Sequence, residues 1–486
     1  MSTEAIAGLQ PQLVWKHFAA ISRIPRGSKN EKAIGDYVVD AAARSGLVAK
    51  RDKFGNVVVK KPAHPSHSHA KIIALQGHLD MVCEKNADTV HDFTKDPIDL
   101  VRKGNLLMAN GTTLGADNGV AVATNLAIME DKTLEHGPLE FLFTVDEETG
   151  LTGASNLSGN LLESKTLLNL DSEEEGALYV GCSGGRDTVA TFKHSFEPAP
   201  RQFVAARIQV KGLKGGHSGL EIDKNRGNAI KILNRVLIKL SALGARLSAF
   251  EGGNKRNAIP RECEALVFLP GKKLAEARLK VGELQSIIKA EISSVDPDLS
   301  ITLGELPASK KAKVVKKTQQ QLLCKAIAAL PHGVLKMSSE IAGLVETSTN
   351  VAVISTTKKA FVLATSQRSS VASELDETVE TVTSILELSG AKVENSDGYP
   401  GWKPNLSSPI LRLAKETYKS LYGKEPAVKA IHAGLECGIL GEKFPGMDMV
   451  SFGPTLEGVH SPDEKIYIDT VERFWRFLLA ILKNVN

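Results

Sequence analysis

Five side chains of types that bind metal ions follow predicted strands or directly precede a predicted helix. They lie in short polar motifs that are far apart in the 486-residue chain. In open α/β sheets, ligands bind beyond the carboxyl ends of the strands, so we expect these side chains to meet at one edge of a sheet. The candidate ligands are His78, Asp117, Glu148, Asp171 and His460.

The chemistry of this set favours a pair of cations. Three carboxylates gathered in one place would repel one another, and without a cation at least one of them would take up a proton. Imidazole together with carboxylate suits zinc, manganese or cobalt better than calcium. Five ligands exceed the three protein ligands of a mononuclear catalytic zinc, so one shared carboxylate would make two sites about 3.5–4 Å apart.

Two further acidic residues stand next to the candidate ligands. Asp80 is two positions after His78. Side chains at i and i+2 of a strand point the same way, so Asp80 can orient the His78 ring. Glu147 adjoins Glu148, and one of these glutamates can bind metal while the other takes a proton from a metal-bound water. Periodicity does not decide which glutamate has which role.

The elements that must position these residues are typical of an α/β fold. Runs of apolar residues predict buried strands, and they alternate with segments of helical periodicity. This alternation favours a largely parallel sheet that is covered by helices. Strands are predicted at 71–75, 139–145 and 166–170, and helices at 31–45, at 119–129 and from 155 onward.

The pattern changes in the middle of the chain and then returns. After the glycines of 181–185, half-exposed strands and amphipathic helices indicate two α+β units in succession, which could be a duplicated module. The α/β pattern resumes after 399–401. We therefore predict one discontinuous domain from residues 1–186 and 400–486, interrupted by an inserted domain over 187–399.

Composition argues against several classes of protein. A net charge of +4 is too small to indicate nucleic-acid binding, and no apolar stretch is long enough to cross a membrane. The five cysteines form no CxxC pair, which argues against a disulfide framework or a zinc ribbon and favours reduced thiols in the cytoplasm. The N-terminal segment has no pattern of a signal peptide.

Four motifs in order resemble those of the M20 metallopeptidases. They are Gly-His-Leu-Asp at 77–80, Gly-Ala-Asp-Asn-Gly at 115–119, Asp-Glu-Glu-Thr-Gly at 146–150 and Asn-Leu-Asp at 169–171. The acidic run at 171–176, the glycines at 181–185 and Ala-Gly-Leu-Glu-Cys-Gly at 433–438 are most similar to the branch of aminoacyl-histidine dipeptidases, also called Xaa-His or cytosol nonspecific dipeptidases. The resemblance extends over essentially the whole chain.

The resemblance implies a role for each ligand and an architecture. His78 and Asp171 would bind one zinc ion, Glu148 and His460 the other, and Asp117 would bridge the two, with cobalt or manganese able to replace zinc. The implied fold is a zinc-exopeptidase-like catalytic domain with a mixed, mostly parallel sheet. An inserted α+β domain that acts as a lid and dimerisation domain would interrupt it.

The same resemblance implies three catalytic residues. Glu147 would be the general base that activates a water bridging the two metal ions and then passes the proton to the leaving amine, and Asp80 would support His78. His217, in Gly-Gly-His-Ser-Gly, would reach the substrate and stabilise the oxyanion, as the matching histidine of the family often does across a dimer.

Three further residues are candidates for substrate binding. Asn257, in Asn-Ala-Ile-Pro, matches a substrate-contacting asparagine of the family. Arg368 offers a bidentate fork for the C-terminal carboxylate of a substrate, and Glu436 could accept its free α-amino group. The implied partners are a dipeptide and a second copy of the chain, without nucleic acid or membrane.

The function that the resemblance implies is hydrolysis of unblocked dipeptides, including Xaa-His dipeptides such as β-Ala-His. One alternative is a metal-dependent amidohydrolase or deacylase for N-acylated amino acids, which uses the same chemistry. Another is a metal-binding scaffold without catalysis. An acidic residue at Glu436 favours a free amine over an acyl group, and a scaffold would have no use for Glu147 and Asp80.

Overall fold

The computed structural model describes residues 2–307 and 313–485, which form two compact units. The first unit consists of Met1–Gly181, Pro404–Ala430 and Leu435–Asn486, and the second of Cys182–Lys403 and Ile431–Gly434. The chain passes into the second unit after Gly181 and leaves it after Lys403, whereas the sequence placed these limits after residues 186 and 399. The short excursion Ile431–Gly434 was not expected.

The elements of both units are numbered in chain order. The helices are α1 (Ser2–Ala5), α2 (Gln12–Ile21), α3 (Lys32–Arg44), α4 (Ala116–Glu130), α5 (Thr152–Ser155), α6 (Ala229–Ala242), α7 (Leu274–Ile292), α8 (Lys317–Ala329), α9 (Ala372–Leu388), α10 (Pro409–Tyr422), α11 (Glu436–Lys443) and α12 (Ile468–Asn484). Within residues 2–307 and 313–485, none of the helices is both long enough and apolar enough to span a membrane.

Most strands belong to one unit or the other. The first unit contains β1 (Val48–Arg51), β2 (Val57–Lys61), β3 (Ile73–His78), β4 (Leu100–Lys103), β5 (Leu106–Ala109), β6 (Leu139–Thr144), β7 (Thr166–Asn169) and β8 (Ala177–Cys182). The second unit contains β9 (Gly184–Lys193), β10 (Phe196–Pro198), β11 (Phe203–Lys211), β12 (Gly216–His217), β13 (Arg246–Gly252), β14 (Ala258–Ile259), β15 (Cys263–Pro270), β16 (Ser300–Glu305), β17 (Lys313–Val315), β18 (Gly333–Met337), β19 (Val345–Thr356), β20 (Ala360–Ser369) and β21 (Lys392–Asn395). The chain then returns through β22 (Ala427–Ile431), β23 (Asp448–Ser451), β24 (Leu456–Glu457) and β25 (Lys465–Tyr467).

The first unit is built around an 8-stranded sheet with the order β1-β2-β6-β3-β7-β23-β8-β22. Its centre is parallel, because β3 pairs in parallel with β6 and β7, and β7 with β23. The pairs β1–β2, β2–β6 and β8–β23 are antiparallel. The α/β fold with a mixed sheet is therefore confirmed, and its parallel strands occupy the middle of the sheet.

Close packing explains the sequence around the central strand. All residues of β3 and β6 are buried, so these strands do not alternate between polar and apolar positions. Helix α4 packs on β3 so closely that a Cβ atom at Gly77 would lie 2.8 Å from the Cβ of Ala121. Although α4 is bounded by Ala116, the backbone of Asp117 and Asn118 is not helical, so the regular helix begins at the predicted Gly119 and Asp117 lies in the kink just before it.

The helix predicted from residue 155 onward is wrong. Helix α5 ends at Ser155, and residues 156–162 are described without a helix. This segment contains asparagine and serine, whose side chains can bond to the nearby backbone, and glycine, which has no side chain and adopts non-helical backbone easily. All three residue types favour turns. The hydroxyl of Ser158 donates to the side-chain oxygen of Asn160 at 2.5 Å, a local bond that competes with helix.

The second unit is built around a 9-stranded sheet with the order β16-β11-β15-β13-β19-β20-β9-β21, and β18 pairs with β19 beside this path. The succession β11-α6-β13-β15-α7-β16 repeats as β9-α8-β19-β20-α9-β21, and the two halves join through β13 and β19. Helices α6 to α9 share one apolar core with the sheet. The sequence predicted two units in succession, whereas the first half is inserted within the second.

Candidate metal centre

The topology of the first unit brings together residues that are far apart in the sequence. His78 is the last residue of β3, Glu148 lies in the turn after β6, and Asp171 follows β7 by two residues. These three strands are parallel neighbours, so their carboxyl ends lie at the same edge. Asp117 reaches this edge from the non-helical kink near the start of α4, and His460 from the loop between β24 and β25.

Asp117 lies between the two histidines. Its Oδ1 is 3.1 Å from Nε2 of His78, and its Oδ2 is 3.2 Å from Nε2 of His460. Asp171 Oδ1 lies 3.4 Å from Nε2 of His78, and Glu148 Oε2 lies 3.0 Å from Nε2 of His460. The five predicted ligands therefore form two groups that share Asp117, and within each group the candidate ligand atoms lie within 4.8 Å of one another.

The donor atoms of these groups fit divalent metal ions. Oε1 of Glu148 and Oδ1 of Asp171 are buried and have no hydrogen-bond partner within the described part of the chain. A buried carboxylate oxygen is unfavourable unless a donor or a cation satisfies it. Carboxylate oxygens together with imidazole nitrogens are ligands that zinc, cobalt and manganese accept.

The carboxylates also stabilise the protonated, positively charged form of the two histidines. Burial by itself lowers the pKa of His78, but Asp171 and Asp117 outweigh it and raise that pKa well above its usual value. Hydrogen bonds with Asp117 and Glu148 raise the pKa of His460 to about 11. A metal ion would supply this charge in place of the two protons.

Asp80 lies behind His78 and also holds the neighbouring turn. Its Oδ1 is 3.4 Å from Nδ1 of His78. Its carboxylate accepts the backbone N–H groups of Glu147 and Glu148 at 3.0 and 3.1 Å and the hydroxyl of Ser28 at 2.8 Å. Burial opposes ionisation, but the hydrogen bonds from His78 and these donors hold the pKa of Asp80 at about 2. Asp80 thus links the His78 ring to both glutamates.

Glu147 lies beside the two ligand groups. Its carboxylate is within 4.8 Å of candidate ligand atoms of His78 and Glu148. Burial, together with the charges of Asp171 and Glu436, raises the pKa of Glu147 well above its usual range. A carboxylate with a raised pKa is a better proton acceptor, so this environment suits the proton-transfer role expected of Glu147.

Glu436 is the first residue of α11 and is completely buried. Its Oε2 accepts hydrogen bonds from the side chains of Gln76 at 2.5 Å and Thr144 at 2.7 Å. Its Oε1 has no partner among the residues that the structure describes. Burial raises the pKa of Glu436 to about 7. The candidate acceptor of an α-amino group therefore offers one oxygen from a buried position.

Two short strands of the second unit bring His217 and Asn257 together. Strand β12 pairs with β14 so that His217 lies opposite Ala258, the neighbour of Asn257. The backbone N–H of Ser218 donates to the carbonyl of Asn257 at 2.9 Å. Two residues that the sequence assigned separately to the substrate thus lie close together, His217 in one small two-stranded sheet and Asn257 directly before its second strand.

The backbone fixes the tautomer of His217. Its Nδ1 accepts the N–H groups of Gly219 at 3.2 Å and Leu220 at 3.0 Å. An accepting ring nitrogen has no hydrogen, so Nε2 has the hydrogen and can donate it. Burial and the nearby charge of Arg368 lower the pKa of His217 to about 4, which keeps the ring neutral near neutral pH.

Arg368 lies in β20 of the second unit and is 6% exposed. Its Nη1 donates to the hydroxyl of Tyr399 at 2.7 Å. Its Nε is buried and has no partner in the described ranges. A guanidinium that is fixed on one side and free on the other is suited to a carboxylate ligand, because its planar fork matches two carboxylate oxygens.

Three residues at the candidate metal centre were not predicted from the sequence: Arg26, Ser28 and Glu464. Arg26 and Glu464 are 3% and 2% exposed and contact the backbone next to the ligands, while Ser28 donates to Asp80. Glu464 follows His460 in His-Ser-Pro-Asp-Glu, so its spacing from a ligand was a usable signal. Arg26 and Ser28 lie far from any ligand in the sequence and give no such signal.

Comparison with known proteins decides the family. Residues 74–484 match the model described as peptidase family M20/M25/M40. The chain belongs to this family. As an M20 peptidase it is a hydrolase of peptide bonds, and the resemblance inferred from the four sequence motifs is confirmed.

Two relatives match nearly the full chain. An Escherichia coli K12 protein described as cytosol non-specific dipeptidase is 42% identical over 481 residues, which is 99% of each chain. The crystal structure of an aminoacylhistidine dipeptidase from Vibrio alginolyticus has a TM-score of 0.91 and 42% identity over 100% of this chain and 99% of its own. An aminopeptidase from Bacillus cereus ATCC 10987, with 17% identity and a TM-score of 0.57 over 98% of this chain and 99% of its own, shares the fold.

Proposed function

We propose that this M20 peptidase is a metal-dependent dipeptidase that hydrolyses unblocked dipeptides, including Xaa-His dipeptides such as β-Ala-His. The observation that supports it most strongly is the convergence of two groups of ligands on Asp117. The two relatives that are 42% identical over nearly the full chain are described as dipeptidases, and the name of one places it in the cytosol. We propose the same substrate class and location for this chain.

The proposal assigns two zinc ions to the two groups. His78 and Asp171 would hold one ion, Glu148 and His460 the other, and Asp117 would serve both, with cobalt or manganese as substitutes. When bound, the ions would supply Lewis-acid polarisation of the substrate carbonyl and of a water molecule. The geometry that supports this assignment is the placement of one Asp117 oxygen toward each histidine.

Glu147 would move the proton in this reaction. It would take a proton from the attacking water as the C–O bond forms and give it to the amine nitrogen as the C–N bond breaks. The products are then a free amino acid with a new carboxylate and a second amino acid with a free amine. The raised pKa of Glu147, caused by burial and by Asp171, suits a group that must hold a proton between these two steps.

The residues of the second unit would act on the substrate rather than on the metal. His217 would donate its Nε2–H to the oxyanion of the tetrahedral intermediate, and Arg368 would bind the C-terminal carboxylate. Asn257 would contact the substrate from the position just before β14, the strand that pairs with His217. We further infer, from the resemblance to the family, that the second unit pairs two chains into a homodimer. A sedimentation mass of one chain would contradict the homodimer.

One substrate panel tests the proposal against N-acyl hydrolysis. The protein would be dialysed against a chelator, restored with zinc, cobalt or manganese, and offered Gly-His, β-Ala-His and N-acetyl-His. Metal-restored release of histidine from the two free-amine dipeptides alone would support the dipeptidase, and a Glu436→Gln variant should then lose this preference. Hydrolysis of N-acetyl-His alone would support the deacylase, and hydrolysis of none would contradict both.

Replacing His217 by alanine should lower kcat by about 10²–10³-fold, the usual loss when one oxyanion donor is removed. KM and metal content should change little, because the Nε2–H acts on charge that develops only in the transition state. His194, a partly buried histidine of the same unit, provides the control: His194→Ala removes an imidazole with no proposed catalytic role. An unchanged kcat in His217→Ala would remove His217 from the mechanism.

Replacing Arg368 by alanine should raise the KM of Gly-His by on the order of 30-fold or more, because removing one partner of a buried charge pair costs about 2–5 kcal/mol. The KM of Gly-His amide, which has no C-terminal carboxylate, should change much less. Tyr399→Phe removes the hydroxyl that holds Arg368 and should have a milder effect with the same preference. Equal losses for acid and amide would contradict the proposed carboxylate contact.

A further inference from the structure

A buried carboxylate holds the backbone segment that contains Asp117. Glu464 is 2% exposed. Its Oε2 accepts the N–H groups of Leu114 and Gly115 at 2.7 and 2.9 Å. Its Oε1 accepts those of Ala116 and Asp117 at 2.7 and 3.2 Å. One side chain therefore satisfies four consecutive backbone donors at the start of α4, and charged acceptors make stronger hydrogen bonds than neutral ones.

The buried guanidinium of Arg26 binds a backbone carbonyl group of the same segment. Arg26 donates through Nη1 to the carbonyls of Leu79 and Asp80, both at 3.0 Å, and through Nη2 to the carbonyl of Gly115. A Cβ atom at Gly115 or Gly119 would lie 2.5 or 2.6 Å from Nη2, so both positions require glycine for Arg26 to approach. Arg26 thereby joins the end of β3 to the start of α4.

These contacts connect the backbone near three of the candidate ligands, His78, Asp117 and His460. Glu464 lies four residues after His460 and binds the backbone of Asp117. Arg26 binds the two residues that follow His78 and the segment before Asp117. The ligand carboxylates repel one another before a cation is bound, and a rigid backbone prevents them from moving apart.

We propose that Glu464 and Arg26 are positioning residues that set the metal affinity of the centre by fixing the backbone of Asp117 relative to His78 and His460. This inference rests on the proposed metal-dependent function. It assigns a role in ligand geometry to two buried charged side chains that bind the backbone around the candidate ligands. The competing explanation is that they stabilise the fold without any specific effect on the metal centre.

Glu140 provides a matched control for that explanation. It is 1% exposed, and its carboxylate accepts the N–H groups of Glu163 at 3.1 and 3.0 Å and of Ser164 at 2.9 Å. Glu140 is thus, like Glu464, a buried carboxylate of the same unit that accepts backbone N–H groups, and it also pairs with Nζ of Lys60 at 3.2 Å. It lies near the start of β6, whereas the ligand Glu148 follows the end of that strand.

The test is calorimetric titration of metal-free protein with Zn²⁺ at fixed pH, with thermal unfolding of the metal-free protein measured alongside. Glu464→Gln should bind zinc about 10–100-fold more weakly, as is usual when a group that orients metal ligands is removed. Glu140→Gln should unfold at a lower temperature without this loss of affinity. The absorption bands of bound Co²⁺ should shift in Glu464→Gln and stay unchanged in Glu140→Gln.

Wild-type affinity in Glu464→Gln, or an equal loss of affinity in Glu140→Gln, would overturn the inference. If Glu464→Gln does not fold, Arg26→Lys decides the question, because lysine keeps the charge but lacks the fork that reaches both backbone segments. It should weaken zinc binding in the same way, and unchanged affinity would count against the proposal. If the wild-type protein itself binds no metal, the proposed function fails rather than this inference alone.

Discussion

Glutamine in place of Glu147 should reduce kcat by about 10²–10⁴-fold, the contribution expected of a general acid and base. Glutamine has nearly the same shape but cannot accept the proton of the attacking water. The ligand groups that share Asp117 do not include Glu147, so metal content should remain that of the wild type. The measurement is kcat for Gly-His together with metal content per chain, both on the same preparation.

The adjacent residue supplies the control for this variant. Glu148→Gln makes the same chemical change one position along, but it removes the carboxylate that lies 3.0 Å from His460. It should lose metal as well as activity. A Glu147→Gln protein that binds metal fully and hydrolyses Gly-His at the wild-type rate would show that another group takes the proton.

Asparagine in place of Asp117 should weaken metal binding at both positions of the centre. The two oxygens of Asp117 face different histidines, His78 at 3.1 Å and His460 at 3.2 Å. An asparagine would keep one neutral oxygen and turn an amide N–H₂ toward the other position, where it cannot bind a cation. Metal content should fall from two ions per chain to one or fewer, and hydrolysis of Gly-His should fall with it.

Asp171→Asn distinguishes a shared ligand from a ligand of one position. Asp171 approaches His78 at 3.4 Å and belongs only to the group of His78 and Asp117. Its asparagine variant should keep metal at the position of Glu148 and His460. Two tightly bound ions in Asp117→Asn, or the same metal loss in both variants, would contradict a shared role for Asp117.

The placement of the candidate ligands was predictable because it follows from a rule about sheets. The strands before His78, Glu148 and Asp171 are almost entirely buried, and runs of mostly apolar residues mark them in the sequence. Parallel neighbours bring their carboxyl ends together, so polar residues after each strand must meet. Types of residue and order of elements were enough for this part of the site.

The contacts that hold the ligands were not predictable from the sequence. Glu464 binds the backbone of Leu114, which lies 350 positions earlier in the chain, and Arg26 binds that of Leu79, 53 positions later. No local periodicity indicates that a charged side chain will be buried against a distant backbone segment. Its burial depends on donors and acceptors that only the folded chain supplies.

Local turns and the exact limits of the units could not be predicted from the sequence either. Residues 156–162 contain apolar positions compatible with a helix, but Asn160 and its neighbours form turns instead. The excursion Ile431–Gly434 into the second unit is too short to change composition or periodicity. Its backbone carbonyls at Ile431 and Ala433 accept the N–H of Ser183, a tertiary contact that the sequence does not indicate.

Anomalous diffraction from crystals of the zinc-loaded protein would test directly whether Asp117 serves two metal ions. We expect two peaks at the zinc absorption edge, one beside His78 and Asp171 and the other beside Glu148 and His460, with Asp117 between them. A single peak, or two peaks that do not both contact Asp117, would contradict a centre in which one carboxylate serves two metal ions.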